Sequence, residues 1–396
     1  MCRRGLIVLV LFFFLMGPAR KVSSQELMFQ MEMSQTFPRE AQVKMRASQL
    51  QAGASRIPTR ERQTQTVKIG LLLPGNQVHA EVAAAVRNAA ELAVADANAN
   101  GGYTGRPFEL IVRTVQGAWG AGSSEIVRLV FDEPVWAVLG GIGGREAHLI
   151  EQIVTKRRVV FVTPWASDPT LTGAYVPWMF RVVPDDRRQA EMLLRTIPAD
   201  ARMATVRDKT SDAKAAEAVF ADEAAKRGRS IEHRLLVKHA VSTIRRTPIN
   251  AVVLFSSHQA AEGFVRELAA TDVRPSLFGP VSLSDPSFSA VAREGGFLFT
   301  TFRIPETKTY VSFRKRYSER FGRQPHVAAG YSYDGTRAVI EAIRSGGLDH
   351  DKIRKALAKI DGDGVTGRVV FDDHGNRLGD ARVDRTPVPT PRHHPD

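Results

Sequence analysis

The sequence predicts an α/β fold of two lobes, each a parallel sheet with helices between its strands. Three observations carry that reading. Short runs dense in apolar and β-branched residues, Val135–Leu139 and Val159–Val162 among them, have the composition of strands buried on both faces. Between those runs Ala147, Ile150 and Val154 repeat at helical spacing, which makes a strand–loop–helix–strand unit. The same alternation recurs further along, and 396 residues are long enough for two such cores.

Taken in order, the first strand is Lys68–Pro74, left through the turn Pro74-Gly75-Asn76. Ala80 to Ala99 is alanine-rich with apolar residues at helical spacing, and Gly101-Gly102 stops it. Phe108–Val115 is the second strand and Ala121–Phe131 the next helix, with Ser123 or Ser124 as its cap. The unit described above follows, then a strand at Met179–Pro184. A second set of alternations opens with the strand Ala204–Arg207 and the loop Asp208–Asp212. It runs on through helix Ala213–Arg227, strands His233–Val237 and Ala251–Phe255, the loop Ser256-Ser257-His258 and helix Ala260–Ala270. Ser276–Phe278 and Gly296–Thr301 are further strands, and Val311–Phe321, His326–Ser345 and Asp351–Ile360 further helices. No tandem repeat at solenoid periods interrupts this order.

The ends read differently. Arg3 and Arg4 precede a 12-residue apolar run, Leu6 to Gly17, and small residues follow at Ser23 and Ser24. That is the layout of a secretory signal, residues 1–24, and it falls short of the roughly 20 apolar residues of a spanning helix. An uncleaved N-terminal anchor is the alternative. Cys2, the only cysteine, lies ahead of the apolar run, so the mature chain has no disulfide. Residues 25–66 are polar and aperiodic, a flexible spacer, and the proline-punctuated 381–396 reads as a disordered tail.

Charge and motifs narrow the function. The net charge is +13, and the leader's four basic residues account for four of it. The remaining arginines are scattered among acidic residues without a basic stripe interleaved with aromatics, so no nucleic-acid partner is expected. Gly140–Gly144 is not a dinucleotide fingerprint and no phosphate-loop lysine pattern occurs, so no cofactor is expected. His148 with Glu151, Ser257 with His258, and the pair His393-His394 all lack the partners that a metal site or a catalytic group requires. The chain does not read as an enzyme.

Loops at the carboxyl ends of parallel strands face the ligand crevice. Gly140–Gly144 can bring bare backbone N–H groups to a helix start, where the dipole favours negative charge, and Arg145 adds a cation. Thr163–Thr172 offers hydroxyls and the aromatic face of Trp165. These strands, the glycine loop and the T-P-x-x-S-x-x-x-L-T pattern from Thr163 to Thr172 resemble the type I periplasmic binding proteins of the branched-chain amino-acid transporter class. The resemblance runs from about Val67 to Gly379. It implies two Rossmann-like lobes, 67–187 plus 303–363 and 188–302 plus 364–380, joined by a three-segment hinge. Pro177 to Ala190 would carry the chain to the second lobe, and Gly364 to Arg377 would cross back to it.

The resemblance also implies site residues. Where relatives hold an α-amino acid, the serine of the glycine loop matches Gly144, a small residue offering its backbone matches Trp165, beside Ala166, and a hydroxyl matches Ser167. On the second lobe an aromatic matches Asp212, near Asp208, and the ammonium-binding carboxylate matches Val281; Ser257 lies on a neighbouring loop. Only Ser167 keeps the expected chemistry. With no carboxylate at Val281, a buried ammonium lacks its partner, whereas Gly143, Gly144 and Arg145 suit a carboxylate and Trp165 an apolar body. Arg145 also reads as a solvated residue, and Trp165 as a plug of the cleft. The expected function is a monomeric extracytoplasmic solute-binding protein that hands a small organic anion, or an amino-acid-like compound, to the membrane permease of an ABC importer. The alternative is a sensor of the same fold that signals to a separate partner.

Overall fold

Strand β1 (Val67–Pro74) is buried along nearly its whole length, as its run of leucines requires once helices cover both faces of a sheet. The computed structural model describes residues 66–75, 79–115, 119–173, 175–378 and 382–386. The leader, the spacer apart from Thr66, and the tail beyond 386 lie outside the described residues. With β2 (Phe108–Val115), β3 (Ala137–Gly140), β4 (Val160–Thr163) and β5 (Met179–Arg181), β1 forms a parallel sheet in the order β2-β1-β3-β4-β5. Its connections are α1 (Ala80–Ala99), α2 (Trp119–Val127), α3 (Gly144–Arg157) and the single turn α4 (Thr170–Gly173).

After α5 (Asp186–Thr196) the pattern repeats. Strands β6 (Met203–Arg207), β7 (Ile231–Leu236), β8 (Ala251–Phe255), β9 (Ser276–Phe278) and β10 (Phe299–Arg303) make a second parallel sheet in the order β10-β9-β8-β6-β7. Helices α6 (Ser211–Lys226), α7 (Val237–Ile244), α8 (His258–Ala269) and α9 (Pro286–Glu294) connect it. The two orders match. Each reverses beside its first strand, between β1 and β3 and between β6 and β8, and loops leaving such a reversal diverge and open a crevice.

The chain then returns to the first lobe with α10 (Lys308–Phe321), α11 (Val327–Gly346) and α12 (His350–Leu357). Small buried residues, Ala85, Ala89, Ala93 and Ala329, line the packing of α1 on α11, and Ser332 Oγ donates to the Val86 carbonyl at 2.7 Å. A hairpin follows, β11 (Asp361–Gly364) with β12 (Gly367–Val370), and last comes β13 (Arg382–Thr386).

Four expectations are corrected. Residues 381–396 are not all irregular: β13 pairs antiparallel with β10 from Phe299↔Thr386 to Arg303↔Arg382, because that sheet edge offers unpaired backbone groups. Gly364 to Arg377 does not cross to the second lobe. Asn376 bridges to Arg181 of β5, Phe371 meets Phe180 at 5.3 Å, and the buried Arg181 donates to Asn376 Oδ1, Thr172 Oγ1 and the Asp168 carbonyl at 2.5, 2.7 and 2.5 Å. Ser123 and Ser124 lie inside α2, which ends in a wider π turn, Arg128–Asp132, instead of capping a helix at 121. Finally, α7 and α9 fall where no helix was expected. Ala240, Val241 and Ile244 bury one face of α7, and Asp285 caps α9 with Pro286 in its first turn.

Candidate functional site

The turn after β3 sets the first wall. Gly140 has φ +143°, and a Cβ there would stand 2.4 Å from the Leu72 carbonyl oxygen, so only glycine lets β3 run this close to β1. Thr163 Oγ1 donates to the Gly141 carbonyl at 2.6 Å, which ties this turn to the end of β4. Helix α3 then caps itself. Glu146 Oε2 accepts the Ile142 N–H at 3.0 Å, and the Gly143 N–H also donates to this carboxylate. Burial pushes the Glu146 carboxyl up to about 7 against those two bonds.

The second wall comes from the ends of β6, β8 and β9. Asp208 Oδ1 accepts Thr210 N–H and Oγ1–H at 2.9 and 2.6 Å, and its Oδ2 accepts the Ser257 N–H at 2.7 Å. It therefore braces two loops and does not line the cavity. Thr210 in turn caps α6 by accepting the Ala213 N–H. Buried Gln189 fastens the β9 loop: its Oε1 accepts the Val281 N–H at 2.8 Å and its Nε2 donates to the Pro184 carbonyl at 2.7 Å.

Between the walls lies a cavity of about 460 Å³. Gly144, Trp165, Ala166, Ser167, Asp212, Ser257 and Val281, all singled out from the sequence, line it. Arg145 does not. It is exposed in a shallower groove with His148, Gln152 and Ser211, because successive helical residues turn about 100° and Gly144 takes the inward direction. The backbone donors expected to await a ligand are also engaged. Ile142 and Gly143 serve Glu146, and the carboxylate of Asp212, from the opposite lobe, stands at the Gly143-Gly144 start of the helix. Gly143 meets the cavity's edge through that same carboxylate: a Cβ on it would lie 2.9 Å from Asp212 Oδ2.

Several residues that the sequence reading left unassigned complete the site. Buried Asp186 faces the cavity, accepts the Ser167 hydroxyl, and is pushed up to about 7 by burial against the pull of that bond and of Arg181. Asp168 is the opposite case. Burial would raise it, but bonds from His148 and Thr170 prevail and hold it at about 2. His326 caps α11 by accepting the Ala328 N–H on Nδ1 at 3.0 Å, which leaves the proton of the neutral ring on Nε2. Burial lowers the His326 and His79 rings, so neither is a strong cation at neutral pH. Trp165 stands edge-on to His326 at 5.7 Å and 6.2 Å from Tyr331, half-buried, with its ring as one side of the cavity. The one sequence signal for this set was P-D-D-x-x-Q-A, Pro184 to Ala190, which reads as a helix start before it reads as a site.

The lining therefore carries four carboxyl groups, Glu81, Asp168, Asp186 and Asp212, and neither lysine nor arginine. Such a wall accepts hydrogen bonds and attracts cations. At its edge Ser287 Oγ and Glu262 Oε1 both approach His258, at 3.2 and 3.0 Å, but address the same ring nitrogen, so these three do not form a relay. Among the described residues no group of three or more His, Cys, Asp or Glu side chains could hold a metal ion. No helix among them is long and apolar enough to cross a membrane.

Comparison with known proteins agrees with this architecture. A profile described as periplasmic binding protein matches residues 66–382. No curated protein matches the chain. Among solved structures, the branched-chain amino acid transporter substrate-binding protein LivJ of Streptococcus pneumoniae, in complex with isoleucine, shares 20% identity at a TM-score of 0.71, over 81% of this chain and 100% of that one. The leucine-binding protein LivK of Thermotoga maritima shares 18% at 0.70, over 82% and 99%. A solute-binding protein of an ABC transporter from R. palustris, in complex with benzoate, shares 19% at 0.72, over 81% and 92%. With two matching sheets around one cavity and a family match across both lobes, this chain belongs to the periplasmic binding proteins and has their type I fold.

Proposed function

We propose that the chain is the extracytoplasmic solute-binding component of an ABC importer. It acts as a monomer, takes an amino-acid-like or amine solute into its interlobe cavity, and delivers it to a membrane permease. The leader at 1–24, with its arginines and short apolar run, supports export. One observation carries the choice of solute: four carboxyl groups line the cavity and no lysine or arginine does. The ligands of the two fold neighbours, isoleucine and benzoate, differ in that only the first carries an ammonium. A protonated amine gains charge-assisted bonds here, while a lone carboxylate meets like charge. The apolar body then lies against Trp165 and Val281.

The test is calorimetry with matched probes: phenylalanine, phenethylamine and isoleucine against benzoate and 4-methylpentanoate. Charge-assisted bonds contribute about 1.5–3 kcal/mol, so amine-bearing probes should bind one to two decades more tightly. Tighter binding of the amine-free acids would overturn the choice of solute.

A further inference from the structure

Helices α3 and α6 both begin at the cavity, one from each lobe, and each presents the positive end of its dipole there. Two such ends brought together need a negative charge between them. The chain supplies it. Asp212, in the first turn of α6, reaches across to the start of α3 and sets its carboxylate beside Gly143 and Gly144. The approach depends on the first of these glycines, since a Cβ on Gly143 would lie 2.9 Å from Asp212 Oδ2. Burial pushes the Asp212 carboxyl up and Asp168 repels it, and Arg145, together with His79 when its ring is protonated, offsets this. Asp212 is exposed to the cleft, yet these groups surround its charged end.

We propose that Asp212 is a built-in counter-anion: it occupies the place a ligand carboxylate would take at the start of α3, and so selects against solutes carrying one there. This inference rests on the cavity being the solute site. It deepens that reading by naming the residue that sets the sign of the ligand.

The experiment is benzoate titration of wild type, Asp212→Ala, Asp212→Asn and Glu81→Gln, followed by calorimetry and thermal shift. Glu81→Gln removes a cavity carboxylate carried by the first turn of α1 instead of α6, and so measures the effect of one cavity charge other than that of Asp212. The expected result is a gain in benzoate affinity for Asp212→Ala at least tenfold beyond that of Glu81→Gln. Should Asp212→Ala fail to fold, the near-isosteric Asp212→Asn must show a gain in the same direction, smaller because its amide still fills the space beside Gly143. Equal gains in the Asp212 and Glu81 variants, no gain in any of them, or tight benzoate binding by wild type would overturn the proposal. Tight benzoate binding by wild type also counts against the choice of solute, whereas equal gains or no gain in the variants overturn this proposal alone.

Discussion

Asp168, in the loop after β4, and Asp186, in the first turn of α5, line one cavity, but their surroundings give them opposite character. Asp168 is held at about 2, since the bonds from His148 and Thr170 outweigh burial, whereas Asp186 rises to about 7 because burial outweighs its bond from Ser167. His148 completes the first case. Hydrogen bonds to Asp168 and Glu151 raise its ring to about 9 against the cost of burial. The sign of the pH dependence follows. A raised histidine contributes stability fully below its ordinary 6.5 and loses it as pH climbs through about 9. A depressed carboxylate contributes above its ordinary 3.8 and loses it as pH falls through about 2. The wild type should therefore melt above His148→Gln by the largest margin between about pH 4 and 6.5, and the margin should close toward pH 9. Thermal melts of both proteins across that range check this; a margin that grows above pH 7 would contradict the assigned pairing.

At the scale of elements, the site depends most on the strand-to-helix turn from β3 into α3. Gly140 lies at φ +143° with no room for a Cβ, and Gly141 hands its carbonyl to Thr163. Gly140→Ala must move β3 away from β1 or distort the turn, at a cost of about 1–3 kcal/mol for the strained backbone alone. A urea titration should show an earlier midpoint for this variant, and an unchanged midpoint would mean that the turn relaxes freely. The helices that follow are less demanding. Their starts carry side-chain caps, Asp185 for α5, Thr210 for α6, Asp285 for α9 and Thr307 for α10, and such local signals operate wherever the backbone is already turning.

The whole molecule is governed by its three passages between the lobes: after β5, after β10, and ahead of β13. Arg181 and Arg377 fasten the ends of two of them to the first lobe. Arg181 holds Asn376, and Arg377 donates to the Val182 carbonyl and to Thr366 Oγ1 at 3.3 and 2.6 Å. On the proposed role, closure should bend the loops after β5 and after β10, where φ/ψ changes are cheapest. A solute touching both walls adds contacts available only in the shut state and shifts the population toward it. Small-angle scattering at saturation with the best amine probe should show a smaller radius of gyration. No change would favour a fixed-lobe sensor over an importer component.

The sequence by itself determined the class of fold, the two lobes and most of their strands. Buried parallel strands must be apolar and helices between them must be amphipathic, and both demands are written in local composition, as at Ala80–Ala99 and Ala251–Phe255. It also located the loops at the cavity, because strand ends mark them. It missed β13, whose polar residues pair only because β10 leaves an edge open, and it left Arg145 between the cleft and solvent, which helical rotation resolves by turning it out. Only the tertiary structure decided the chemistry of the site. The Gly144 N–H is a donor in any sequence reading, but whether it waits for a ligand depends on Asp212, a residue of the other lobe. Charge partners across a cleft are chosen by distance in space, and nothing in the local pattern of either segment encodes that distance.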